Sequence, residues 1–524
     1  MRLTAEPMGA AEVVAVARRG EPVEVDASVG RSMAPARAVV EAAIASERVV
    51  YGLTTGFGAL ADTRVAPEEA TELQYALIRS HAAGLGDPVD DEIVRAMVLL
   101  RARTLAAGCS GARPEVVDAL AALLDSGVGV AVPEHGSLGA SGDLAPMAHV
   151  ALALTGEGWV LGDRGQPEPA APHLAAAGLK PLDLQVKDGL ALLNATEGML
   201  ALLVLAVEDL TMLADTADVV CALSVEALLA TDRPFAERLQ RLRPHPGQAR
   251  SAANLRRLLD GSAILASHRD SLHAVQDAYS LRCAPQVHGA VRDTLDWAAT
   301  VRDRELAACV DNPVVLPEDG AVESTGNFHG EPLGFALDLL AMGAAELGAI
   351  SERRTDRMLD PARSHGLPPF LAPRAGTNSG YMLAQYTAVS LVAENRRLAV
   401  PATTDSLPTS GMQEDHVSLG WSAGLKLRRA IRNLTGILAV EALVAAQGME
   451  LRTSAAEQQH DRGQDLRPAP CTARVLARIR GEIPSMPVDR FVAPDLEAAR
   501  RLVASGALVQ AARLRPANTS EVPA

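Results

Sequence analysis

KDGLALLNATEGMLALLVLAVEDLTMLADTADVVCALSVEALLA, residues 187–230, is dominated by Ala, Leu and Val and holds very few helix breakers. Ala and Leu carry the lowest helix cost, so the stretch predicts long helix. Downstream, further long Ala/Leu runs predict a bundle of antiparallel helices. Upstream the elements are shorter. Apolar residues at helical spacing predict helices over 13–19, 35–49, 67–83, 90–107 and 114–124. Strand signals are few: 128–132, 159–161 and the edges of 314–322. There is no alternation of strand and helix, which excludes a doubly wound sheet. The expected fold is mainly α, with an N-terminal domain over 1–190 and a helical bundle domain over 191–524. Residues 515–524 read as a frayed tail.

Composition narrows the function. Of 524 residues, Lys+Arg make 49 and Asp+Glu 64, giving a net charge of −15. Phosphate binding needs a cationic surplus, so no nucleic-acid partner is expected. Aromatics are 3% of the chain, too few for base-stacking platforms. The five cysteines are scattered with no CxxC or Cys/His cluster, which points to a reducing compartment and no metal site. The opening MRLTAEPMGA shows no secretory pattern. The purest apolar run, 199–207, is far short of the ~20 residues of a membrane span. A cytoplasmic protein with no membrane partner is the expectation.

The chemistry begins at GSLGASGDLAP, residues 136–146. In Ala140-Ser141-Gly142, glycine has no Cβ to keep its nitrogen from the Ala140 carbonyl. Ring closure with loss of water, including the Ser141 hydroxyl, leaves an imidazolone bearing an exocyclic methylene. That group is an electrophile made without an external cofactor. An isolated Ala-Ser-Gly is far more often a plain turn, so the flanks decide.

Those flanks are YGLTTGFG (51–58), RSHAAGLG (79–86), RPHPGQ (243–248), VQDAYSLRCAPQVHG (275–289), GNFHGEP (326–332), SERR (351–354) and DSLPTSGMQEDHVSLGW (405–421). Together with GSLGASGDLAPMAH they resemble the aromatic amino-acid ammonia-lyases, over nearly the whole chain. The resemblance implies a 4-methylidene-imidazol-5-one (MIO) group built from Ala140, Ser141 and Gly142, with no metal or nucleotide. It also implies a homotetramer whose active sites combine residues of several chains.

The same resemblance implies residue roles. Tyr51 acts as acid or base at the substrate β-carbon. His81 contacts the substrate side chain, and Ser80-His81 is similar to the histidine-specific branch. Asn194 polarises the MIO carbonyl. Arg282 grips the substrate carboxylate, with Gln276 and Tyr279 in support, and Phe328 borders the site. Glu414 contacts the amine or assists proton transfer. Thr54, Ala195 and Glu197 depart from the family pattern.

Read without the resemblance, these residues have plainer uses. Gln276, Tyr279 and Arg282 recur every three positions, which on one helix gives a polar face. Pro285 then ends that helix. Ser410 and Gln413 fit a capping box, which puts Glu414 in a first helical turn. His81 and Asn194 read as satisfied structural groups and Phe328 as core. The implied reaction is deamination of L-histidine to trans-urocanate and ammonia. Its competitors are a tyrosine or phenylalanine lyase, an aromatic 2,3-aminomutase and a non-catalytic scaffold. A zincin is excluded, since HExxH is absent, and the lack of strand–helix alternation leaves no sheet for an α/β-hydrolase.

Overall fold

The computed structural model describes residues 1–46, 50, 52, 55–56, 63–271, 275–458 and 466–514. Tyr51, Thr54 and the tail 515–524 lie outside them. The fold is mainly α, as the Ala/Leu content requires. The strands among the described residues form four sheets of two strands each. Contacts divide the chain into two units. Unit 1 comprises Met1–Ala206, Ala298–Asp338 and Pro401–Lys426; unit 2 comprises Val207–Trp297, Leu339–Val400 and Leu427–Ala524. The boundary near 190 is not one of their limits.

Unit 1 is organised by the Asp91–Ala106 helix, which is buried from Ala96 to Ala106. Such a helix needs partners on every side. The Ala10–Arg19, Val29–Ala45 and Pro114–Ser126 helices supply them. A second cluster joins the Ala70–His81, Leu144–Thr155 and Asp188–Leu193 helices. It carries the Ala-Ser-Gly loop at its edge.

In unit 2, buried ions tie helices together. Arg354 of the Glu331–Leu359 helix pairs with Glu441, which also accepts from Ser224 Oγ at 2.7 Å and Ser351 Oγ at 2.6 Å. Asp218 accepts from Arg292 at 2.6 Å and Ser251 at 2.5 Å. Charges taken from water need such saturated bonding. Burial raises the Asp218 carboxyl, but the Arg292 and His288 contacts outweigh it and hold the group below the usual carboxylate range.

Four sequence expectations change. The 187–230 helix breaks into Asp188–Leu193 and Glu197–Ala227. At the break, backbone groups turn outward: Asp143 N donates to Ala195 O at 2.6 Å. The 128–132 strand is absent; Val130 makes only an isolated bridge with Val160, and the strand lies at Pro133–His135. The 35–49 helix instead runs Val29–Ala45 with Pro35 inside it. The apolar-run criterion also missed length: three helical stretches, Asp188–Ala227, Glu331–Leu359 and Gly420–Ser454, are long and apolar enough to cross a membrane. The apolar window of the first is wholly buried inside the protein.

Candidate active site

The Ala-Ser-Gly loop is held by other backbone segments of unit 1. Leu419 N donates to Leu138 O at 2.8 Å, and Gly330 N donates to Gly139 O at 3.1 Å. Ser418 Oγ donates to the same Gly139 carbonyl at 3.0 Å. Gly142 has φ +77, and a Cβ there would stand 2.2 Å from Ala195 O. Only glycine tolerates both the left-handed backbone and that approach. Ala140 and Gly142 are buried and Ser141 is half-buried. A tripeptide with an obligatory glycine and a fixed backbone fits the ring closure that an MIO group requires.

Asp143 directly follows the tripeptide. Its carboxyl accepts from Ser137 Oγ and from Met199 N, each at 2.8 Å. Complete burial pushes it up to about 7, against the pull of those hydrogen bonds.

Three further expected residues gather here. Ser141 Oγ donates to Glu414 Oε1 at 3.0 Å. Thr409 Oγ1 holds the other carboxylate oxygen at 2.8 Å. Glu414 is not in a helical first turn. It pairs with Thr409 in an isolated bridge, and the next helix begins at Gly420. Ser410, Gly411 and Met412 all have positive φ, a backbone that no capping box adopts. His81 closes the Ala70–His81 helix. Burial lowers its imidazole below the ordinary value, opposed by the Leu77 carbonyl and by the Glu414 charge. Its Nδ1 faces Leu77 O at 2.9 Å. A carbonyl only accepts, which assigns the proton to Nδ1 and leaves Nε2 an acceptor.

Asn194 is buried, and its Nδ2 donates to Asn312 O at 2.7 Å. Through Ala195 it adjoins Gly142 and Asp143. Glu197 meets a buried Arg101 at 2.9 Å, which accounts for a carboxylate at this position. Phe328 is half-buried in the loop after the Ala321–Glu323 strand. Two anchors bring that loop to the site: the Gly330–Gly139 bond and His329 Nε2, 3.2 Å from His416 O.

Gln276, Tyr279 and Arg282 belong to unit 2. They do not share one helix. The helix covers only Tyr279–Arg282, and Gln276 sits in a bend ahead of it. Pro285 does not end a helix either; the next one starts at Ala284, with Pro285 in its first turn. A missing N–H costs nothing there, because first-turn amides have no helical acceptor. The Arg282 guanidinium stacks on the Tyr279 ring, 4.6 Å from its centroid. Arg282 Nε is buried without a hydrogen-bond partner among the described residues. Tyr279 is 71% exposed.

Sequence reasoning passed over Asp143, Thr409, Arg101 and Asn312, which hold the loop, Glu414, Glu197 and Asn194 respectively. The one available signal was the buried-type placement of Asp143 and Arg101 within apolar surroundings.

Comparison with known proteins follows the same lines. The family model for aromatic amino acid lyases matches residues 8–480. The histidine ammonia-lyase of Streptomyces griseus is 54% identical over 503 residues, covering 96% of each chain. The crystal structure of histidine ammonia-lyase from Trypanosoma cruzi superposes with a TM-score of 0.87 at 37% identity, over 98% of this chain and 95% of that one. Tyrosine aminomutase from Streptomyces globisporus gives 0.88 at 38% identity, over 98% of both chains. With the loop geometry, these similarities place the chain in the aromatic amino acid lyase family.

Proposed function

We propose that the protein is a histidine ammonia-lyase, converting L-histidine to trans-urocanate and ammonia. The observation that carries the reading is the Ser141–Glu414 contact with a neutral His81 in range of the same carboxylate. The histidine ammonia-lyases among its relatives support the substrate.

The β-proton of histidine is weakly acidic and its amine is a poor leaving group. An MIO group formed from Ala140, Ser141 and Gly142, held beside Asn194, supplies an electrophile that makes the amine easier to expel. The remaining work falls to side chains. Arg282, with a free Nε, binds the substrate carboxylate as a fork. Glu414 takes or holds a proton of the amine. His81 Nε2 accepts from an imidazole N–H of the substrate, a contact that a benzene ring cannot make. Tyr51 removes the β-proton. Gln276 and Tyr279 support the substrate, and Phe328 walls the site.

The assembly we propose is a homotetramer with sites shared between chains. Exposed apolar faces support it. Phe335, Leu339 and Met342 lie along the Glu331–Leu359 helix, and Leu383, Tyr386 and Val389 along the Met382–Leu398 helix. Such stripes at helical spacing mark protein–protein surfaces. The exposed Tyr279 fits a residue that serves a neighbour's site. A cytoplasmic location is proposed from the five free cysteines.

Separate incubation with L-histidine, L-tyrosine and L-phenylalanine tests the reading, with ammonia and the conjugated acid followed together. Urocanate and equimolar ammonia from histidine alone are expected. A β-amino acid product would establish an aminomutase instead, and turnover of tyrosine or phenylalanine in preference to histidine would overturn the substrate.

A further inference from the structure

Ring closure in the Ala140–Gly142 tripeptide requires the Gly142 nitrogen to meet the Ala140 carbonyl carbon. Different parts of unit 1 set those two ends. Downstream, Gly142 lies against Ala195, and Asp143 N donates to Ala195 O at 2.6 Å. Upstream, two consecutive residues hold two consecutive carbonyls. Leu419 N donates to Leu138 O at 2.8 Å, and Ser418 Oγ donates to Gly139 O at 3.0 Å. Leu419 has φ +51, a left-handed backbone that costs a leucine energy and persists only where its surroundings enforce it.

Ser418 also has a plain use. Its Oγ accepts from Gly420 N at 3.2 Å, at the start of the Gly420–Gln458 helix. Serines ahead of helices commonly satisfy early amides in this way. That use explains the acceptor side of the hydroxyl and not the donor side. A hydroxyl has one proton, and here it goes to the Gly139 carbonyl. Residue 139 is shaped for the contact: its φ is +64, and a Cβ there would stand 2.2 Å from Ser418 Oγ. Ser418 is completely buried, so solvent does not compete for the proton. Gly330 N donates to the same Gly139 oxygen at 3.1 Å, which engages both lone pairs. A carbonyl held twice fixes the plane of the Gly139–Ala140 peptide, and with it the carbon that the Gly142 nitrogen must reach.

We propose that Ser418 is a positioning residue for this ring closure, an inference that rests on the MIO reading of Ala140, Ser141 and Gly142. In the closure, the Gly142 nitrogen lone pair bonds to the Ala140 carbonyl carbon, whose oxygen takes the Gly142 N–H proton. That oxygen leaves as water with the Ser141 N–H proton, and a C=N bond forms. The Ser141 Oγ leaves as a second water with the proton of its own Cα, and the methylene remains. Ser418 exchanges no atom or electron in these steps. It fixes where the Ala140 carbon stands when the nitrogen arrives.

The test compares wild type, Ser418→Ala and Ser224→Ala, each synthesised at full length in a cell-free mixture. Translation is stopped and samples are quenched at intervals. The mass of the peptide holding residues 140–142 reports closure, and resistance to brief proteolysis reports folding in the same samples. Ser224 is buried and donates to Glu441, so its variant loses a buried hydrogen bond of unit 2. The peptide should lose two waters at the same rate in wild type and Ser224→Ala. In Ser418→Ala the loss should be roughly tenfold slower or more, the scale of one hydrogen bond, while protease resistance appears on the wild-type schedule. Closure at the wild-type rate in Ser418→Ala overturns the proposal, as does equal slowing in Ser224→Ala. Slow closure matched by equally slow folding, or failure of Ser418→Ala to fold, makes Ser418 a structural residue and overturns it too. A folded wild type that keeps a linear Ala-Ser-Gly would instead overturn the MIO reading itself.

Discussion

Ser141, Glu414 and His81 carry predictions that separate chemistry from scaffolding. Ser141→Ala leaves no hydroxyl to lose, so its intact mass should equal the unmodified chain and ammonia release should drop to background. Glu414→Gln keeps the shape and the Thr409 contact but cannot take a proton. Its kcat on histidine should fall ~10²-fold or more, with a smaller change in KM. His81→Leu removes the acceptor offered to the substrate ring. Its kcat/KM for histidine should fall roughly tenfold or more, the scale of one lost buried hydrogen bond. His81 also links stability to pH. Burial lowers its folded pKa below the ordinary imidazole value of 6.5, so below that pH the unfolded chain binds a proton that the folded chain refuses. This contribution is present above 6.5 and is lost as pH falls through it. The urea midpoint of His81→Gln should therefore fall less steeply than that of wild type between pH 7 and the acid side. An unchanged pH slope would exclude a buried neutral imidazole. The identities of these residues were legible in the sequence through the motifs. Their partners were not, because Thr409 and Leu77 are ordinary residues until the chain brings them within bonding distance.

Helices were legible wherever amphipathic spacing ran unbroken, as over Asp91–Ala106 and Pro114–Ser126. Errors gathered where backbone groups bond outside their own element. The break at 194–196 is one: Ala195 O serves Asp143 N, and Asn194 Nδ2 serves Asn312 O. The three-residue spacing of Gln276, Tyr279 and Arg282 was another, since the helix starts only at Tyr279. The Arg101–Glu197 pair secures the start of the Glu197–Ala227 helix, and Arg101 Nε also reaches Ala191 O at 2.7 Å. Arg101→Leu should leave a buried carboxylate and two carbonyls unpaired, at a cost of about 3–5 kcal/mol. Urea unfolding should show that loss as a lower midpoint. Glu197→Gln keeps a hydrogen-bonding amide for Arg101 and should lose less. Equal losses in both variants would mean that the charge pair itself is not what matters.

At the scale of the molecule, the exposed stripes on the Glu331–Leu359 and Met382–Leu398 helices predict association. Leu383→Glu with Tyr386→Glu places charge where Tyr386 is 61% exposed on the single chain. The double variant should elute as a smaller species in light-scattering chromatography, and its histidine turnover should fall with the loss of assembly. A tetramer of undiminished activity would show that these faces do not mediate it. The sequence by itself determined the helical class and the loop chemistry. Periodic burial of Ala and Leu is a local property, and the Ala-Ser-Gly run and its flanking motifs are covalently contiguous. Only the tertiary structure decided which groups meet: Ser141 with Glu414, Asn194 with Asn312, and Arg101 with Glu197. Those contacts join residues distant along the chain. They depend on the close packing of helices and loops, which no local pattern of residues encodes.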